Sequence, residues 1–110
     1  MPPRTVLTAT ERALYSRLRQ LLNEPGLLRG NVVEMRRRCG KAGCRCAREP
    51  AARHASLYLG LSVHGRRRMV YIPPAWEERV RQWAGCYAEV RRALEELSRR
   101  SLERLERRAE

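Results

Sequence analysis

Apolar residues are spaced along this chain in three different rhythms, and each rhythm predicts an element. Leu14, Leu18 and Leu21 recur at steps of four and three with Leu22 beside them, one apolar stripe of a helix. Thr8 and Glu11 fit a capping box at its start, with Leu7 placed as a staple. Asn23-Glu24-Pro25-Gly26 ends it, because proline cannot continue a helix and glycine tolerates the turn. The pattern predicts a helix over 8–23. Val32, Val33 and Met35 then predict a strand over roughly 31–38. Residues 39–54, with three cysteines, two glycines, a proline and a histidine, read as a loop built around something.

A rhythm of two follows. Leu57, Leu59, Leu61 and Val63 alternate with Tyr58, Gly60 and Ser62, and after His64-Gly65 the residues Arg68, Val70 and Ile72 alternate with Met69 and Tyr71. A two-residue X-Gly loop between alternating segments signals a hairpin. It predicts a register: Leu61 opposite Arg68, Leu59 opposite Val70 and Leu57 opposite Ile72 on a core side. Tyr58 opposite Tyr71, Ser62 opposite Arg67 and Gly60 opposite Met69 then share an exposed side. Pro73-Pro74 stops the strand and suits a helix start.

The third rhythm is long. Trp76, Val80, Trp83, Tyr87, Val90, Leu94 and Leu97 step by four and three, as a/d positions do. The seam breaks at Ser101 and Arg104, and Leu102, Leu105 and Ala109 restart it off phase. A helix over 74–107 would be roughly 50 Å long. Its Trp-rich first half is the natural cover for helix 8–23 and the hairpin leucines. That leaves Leu94, Leu97, Leu102 and Leu105 for a homodimer or a partner protein through residues 90–107. The fold class expected is α+β in a single domain over 1–110. It has a three-stranded antiparallel sheet within a basic centre at 31–72, a Cys-rich loop, and two helices packed on one sheet face.

Charge changes this picture more than composition does. The 110 residues carry a formal charge of +12 and no aspartate. Residues 27–72 hold ten Arg and one Lys against two Glu, so +9 of the excess sits in the centre. Arginine outnumbers lysine 23 to 1, and the guanidinium fork binds phosphate bidentately and stacks on bases. No apolar run approaches the ~20 residues of a membrane span, and Met1-Pro2-Pro3-Arg4 does not begin a signal peptide. The expectation is a cytoplasmic protein with a polyanionic partner and no membrane association.

Two constellations carry chemistry. Cys39, Cys44 and Cys46 with His54 supply three thiols and an imidazole within sixteen residues, a set suited to one tetrahedral zinc ion per chain. Gly40 and Gly43 let the loop turn, and the neighbouring cations favour the thiolate. Reduced thiols without metal, or a redox pair, use the same residues. Cys86 is a packing residue of the long helix or an alternative fourth ligand to His54. The second constellation is cationic: Arg36, Arg37 and Arg38 leading into the Cys loop, Lys41 and Arg45 within it, and Arg66, Arg67 and Arg68 opening the second hairpin strand. A two-stranded ribbon can enter a major groove; Tyr58 and Tyr71 beside Arg67 can instead stack single-stranded bases. His64 reads as a turn residue, and Trp76 and Trp83 as helix-seam packing.

No paired carboxylates lie off the helix, and neither a G-x-S-x-G nor a P-loop is present, so an enzyme is not expected. Cys44 or Cys46 with His54 offers a thiol dyad in principle, but ligand clustering accounts for the same residues with less strain. The function expected is a small DNA-directed nucleic-acid-binding module. The alternative is an assembly adaptor working through the long helix.

The segment Arg38-Cys39-Gly40-Lys41-Ala42-Gly43-Cys44-Arg45-Cys46-Ala47, with His54, Leu57-Tyr58-Leu59 and Tyr71-Ile72-Pro73, resembles an uncharacterised prokaryotic family of small Arg-rich proteins, a domain of unknown function. The resemblance spans roughly residues 28–98. This chain has Ala42 where the family has proline, and Ala55-Ser56-Leu57 where it has Gly-Pro-Tyr. The resemblance implies no established activity. It implies an association with mobile-element genes, which favours DNA as the partner.

Overall fold

A computed structural model describes residues 6–37 and 40–108. Its element order is helix α1 (Ala9–Leu22), strand β1 (Asn31–Arg37), short 3-10 turns at Arg45–Ala47 and Pro50–Ala52, strands β2 (His54–Val63) and β3 (Arg66–Ile72), a 3-10 turn at Pro74–Trp76, and helix α2 (Glu77–Arg107). The three strands form one antiparallel sheet in the order β1-β2-β3. The expected α+β class with its three-stranded sheet, N-terminal helix and long C-terminal helix is therefore observed.

The chain divides into two compact units. One takes its described residues from Met1–Leu27 and Gly85–Glu110, the other is Leu28–Ala84. In the helical unit the capping box forms: Glu11 N donates to Thr8 Oγ1 at 3.2 Å and Thr8 N donates to Glu11 Oε1 at 3.0 Å. Leu18 and Leu21 pack with Cys86, Val90, Ala93 and Leu97 of α2, with Leu14 against the cluster. The expectation that this helix covers Trp76 and Trp83 is thus corrected, and so is the seam itself. Cys86 and Ala93 are buried while Leu94 is 54% exposed. Small residues at the contact let two helix backbones approach closely; a larger leucine there would hold them apart. Leu97, expected to await a partner, is buried against α1.

The break in the seam at Arg104 is also corrected. Arg104 continues the seam and donates through both Nη atoms to the carboxylate of Glu11, which is 2% exposed. This guanidinium, and then the Thr8 amide, hold the Glu11 carboxyl well below its ordinary value, at about 2.

In the sheet unit the register is the expected one at every position: Leu57–Ile72, Leu59–Val70 and Leu61–Arg68 alternate with Tyr58–Tyr71, Gly60–Met69 and Ser62–Arg67. His64 and Gly65 both take positive φ, 51° and 78°, as a tight hairpin turn matched to strand twist requires. Leu59 and Ile72 are buried with Val80 of α2, and Leu28, Val32, Leu57 and Leu61 pack against them. Trp76, expected in the core, is 44% exposed. The Arg79 guanidinium lies 4.4 Å from its ring centroid and 6.0 Å from that of Trp83.

Candidate metal centre and sheet face

The loop between β1 and β2 has little apolar content, and Cys46 is its one buried hydrophobic side chain among the described residues, 1% exposed. Two short turns fold it back. Cys44 N donates to Lys41 O and Ala47 N to Cys44 O, each at 3.1 Å, and the second turn at Pro50–Ala52 delivers the chain to His54. The ligand atoms of Cys44, Cys46 and His54 lie within 4.8 Å of one another, and Cys44 Sγ is 3.3 Å from His54 Nε2. At Zn–S near 2.3 Å and Zn–N near 2.0 Å, the edges of a tetrahedron are roughly 3.5–3.8 Å; the Cys44–His54 separation is close to such an edge, and the 4.8 Å bound on the set leaves about 1 Å of closure for an ion to bring about. Cys39 and Arg38 lie outside the described residues. Cys86 takes no part: its Sγ donates to Leu21 O at 3.5 Å inside the helical core, which corrects its candidacy as a ligand.

His54 is not in a loop, as its spacing suggested. It opens β2 directly opposite Arg37, the last residue of β1. The Cys/His cluster therefore closes one end of the sheet.

Strand alternation sorts the arginines. On one face, which also carries the apolar cluster, lie Arg36, Arg66 and Arg68. Arg36 Nε is 3.3 Å from Glu34 Oε1, and Arg68 borders an apolar groove of about 300 Å³ with Trp76 and Val70. On the other face, with the tyrosines, lie Arg37 and Arg67. The Arg37 guanidinium is 5.3 Å from the Tyr58 ring centroid. Tyr58 and Tyr71, paired across the strands, meet edge to face at 5.7 Å and 64°. Arg67 lies back across β2 over Gly60, where a Cβ would come within 2.5 Å of its Nη2. In the loop, Arg45 pairs with Glu49 at 2.8 Å and Lys41 is exposed. Of the named cations among the described residues, only Arg37 and Arg67 share the sheet face of the tyrosines.

Sequence reasoning missed two arginines. Arg29 Nη2 donates to Ser62 O at 2.6 Å, next to the hairpin tip, and Arg53 Nε is buried without a hydrogen-bond partner beside His54. Both belong to the arginine excess of the centre, but nothing in their spacing set them apart.

A small α+β protein whose sheet is closed at one end by a Cys/His cluster is the class that these features define. The chain belongs to the family described as a domain of unknown function, DUF6788, which matches residues 11–82. No curated protein and no solved structure matches it. No helix among the described residues is long and apolar enough to cross a membrane.

Proposed function

We propose that this chain is a small DNA-directed nucleic-acid-binding module whose Cys/His cluster holds one zinc ion. The observation that carries the reading is the sheet face away from the apolar cluster, where two tyrosines are flanked by Arg37 and Arg67. Glu34 is the one carboxylate in the three strands, and alternation places it on the opposite face. Unit Leu28–Ala84 has thirteen Lys and Arg against four Glu, a field that attracts a polyanion.

Two thiolates and an imidazole are a borderline-soft donor set that suits zinc, and Cys44, Cys46 and His54 would hold it. The ion would tie the loop to the first residue of β2 and so fix Lys41 and Arg45 near the sheet end. The Cys44–His54 approach also suits a thiol–imidazole pair, but that reading makes no use of Cys46.

The test is titration of labelled DNA with the full chain between 50 and 200 mM salt. Binding that weakens steeply with salt supports the reading; no binding at 50 mM removes it. A second reading, self-association through residues 90–107, rests on Leu94, Leu102 and Leu105, which are 54%, 53% and 69% exposed. Sedimentation of the full chain beside one ending at Leu97 tests it, and two monomers at high micromolar concentration refute it.

A further inference from the structure

We infer that the nucleic acid bound is single-stranded DNA, laid along β2 on the open sheet face with a base stacked on Tyr71. This rests on the nucleic-acid reading above and narrows it.

Three features select a single strand. The first is where ring surface is available. Tyr58 is half-buried, with Arg37 over its ring and the Tyr71 ring against it. Tyr71 is 53% exposed although it is strand-paired, next to last in β3. An exposed tyrosine braced by a second ring, itself covered by a guanidinium, is partly ordered already, so a base that stacks on it costs less further ordering. The bases of a duplex are paired and stacked inside and cannot reach it.

The second feature is Gly60. A Cβ there would come within 2.5 Å of Arg67 Nη2 and 3.2 Å of Met69 Sδ, so any larger residue would displace the Arg67 guanidinium from its place above the strand. The glycine leaves the Arg67 guanidinium room over the strand, on the same face as the rings. A flat guanidinium offers a stacking plane and a phosphate fork together. Positions two apart on one strand face are about 6.8 Å apart, so Tyr58, Gly60 and Ser62 form a line of steps that an extended polynucleotide can follow.

The third feature opposes a duplex. A two-stranded ribbon fits a major groove, but β1 is paired along β2 from His54 to Gly60. Only Leu61–Val63 and their β3 partners extend beyond it. The rings sit where the sheet is three strands wide, so the two-stranded ribbon of a groove reader is not what presents them.

The experiment is fluorescence anisotropy of the full chain with 5′-labelled dT20 and with a 20-base-pair duplex in the same low-salt buffer. The expected result is tighter binding of dT20. Tyr71→Phe should bind dT20 like the wild type, and Tyr71→Ala should bind it about 5- to 150-fold more weakly, the range for removing one stack. Tyr71→Leu keeps apolar bulk on the strand and should weaken binding as much; it decides the matter if the alanine variant melts earlier. Duplex bound as tightly as dT20, or wild-type dT20 binding by Tyr71→Leu, overturns the inference and leaves the nucleic-acid reading standing. Binding of neither DNA removes both.

Discussion

Withdrawing zinc from the Cys44–Cys46–His54 cluster should loosen the sheet unit and leave the helical unit alone. The loop carrying these ligands has two single-turn 3-10 segments and one buried hydrophobic side chain, Cys46, among its described residues. It has little apolar area to bury, so on the zinc reading proposed above the ion would supply much of its stability. A ligand present at a hundred times its dissociation constant stabilises the folded state by about 2.7 kcal/mol. Leu28–Ala84 is a small unit, and for domains of 60–100 residues each kcal/mol moves the midpoint by about 4–8 °C. Chelation should therefore lower its melting temperature by about 11–22 °C. Both tryptophans, Trp76 and Trp83, lie in this unit, so their fluorescence reports its melting selectively. Cys46→Ser should melt near the chelated wild type and carry no zinc. Cys86→Ala should keep its zinc, because Cys86 sits in the helical core. Protein isolated without chelator that contains no zinc, or a tryptophan transition that chelation leaves in place, would refute the reasoning.

Other outcomes follow from the same geometry. Glu11 has a folded-state value of about 2, below the ordinary 4.5. Its contribution to stability is complete above about pH 4.5 and is lost as pH falls toward 2; urea titrations at stepped pH should show that slope, and Glu11→Gln should flatten it. Leu18→Ala removes a buried side chain from the α1–α2 cluster and should cost about 2–5 kcal/mol by far-UV circular dichroism. Leu22→Ala, at a position 58% exposed, should stay within about 0.5 kcal/mol. Replacing Arg37 and Arg67 together by alanine should reduce the salt slope for single-stranded DNA by about 1.4, since each phosphate left without its cation takes about 0.7 from it. An unchanged slope would place the phosphates elsewhere.

The hairpin was fully legible because two constraints agreed. Period-two alternation set which residues share a face, and the His64-Gly65 turn left one register in which both alternations match. The start of β2 was not legible. Ala55 and Ser56 carry no alternation, and their place in a strand comes from pairing with Arg36 and Met35, a long-range fact. The helix seam misled because hydrophobic size is easier to see than fit. Tyr87 and Leu94 look like seam residues, yet the packing uses Cys86 and Ala93. Glu11 and Arg104 are 93 positions apart, and nothing in either neighbourhood marks them as partners. What could be read was Glu11 as a cap and Arg104 as a break in a seam, and each is half of one buried ion pair.

The candidate site was legible in its residues but not in its grouping, and the reason is strand geometry. An arginine triplet reads as one patch of charge. On a strand, successive side chains point to opposite faces, so a triplet divides two to one. Arg66 and Arg68 go to the face with the apolar cluster and leave Arg67 with the tyrosines; on β1, Arg36 goes to the face of Glu34 and leaves Arg37 over Tyr58. The two arginines at the rings thus come from different triplets on different strands, and β2 between them supplies Tyr58 and Gly60. Total charge sets how strongly the unit attracts a polyanion from a distance. The two sorted arginines set what is held at the rings, and the sorting depends on register. Shifting either strand by one residue would exchange the tyrosine face for the leucine face. His54 ties that register to the Cys loop, since it is at once a ligand-bearing residue and the pairing partner of Arg37. The Cys/His cluster at the first residue of β2 and Tyr58 four residues further on therefore share one strand.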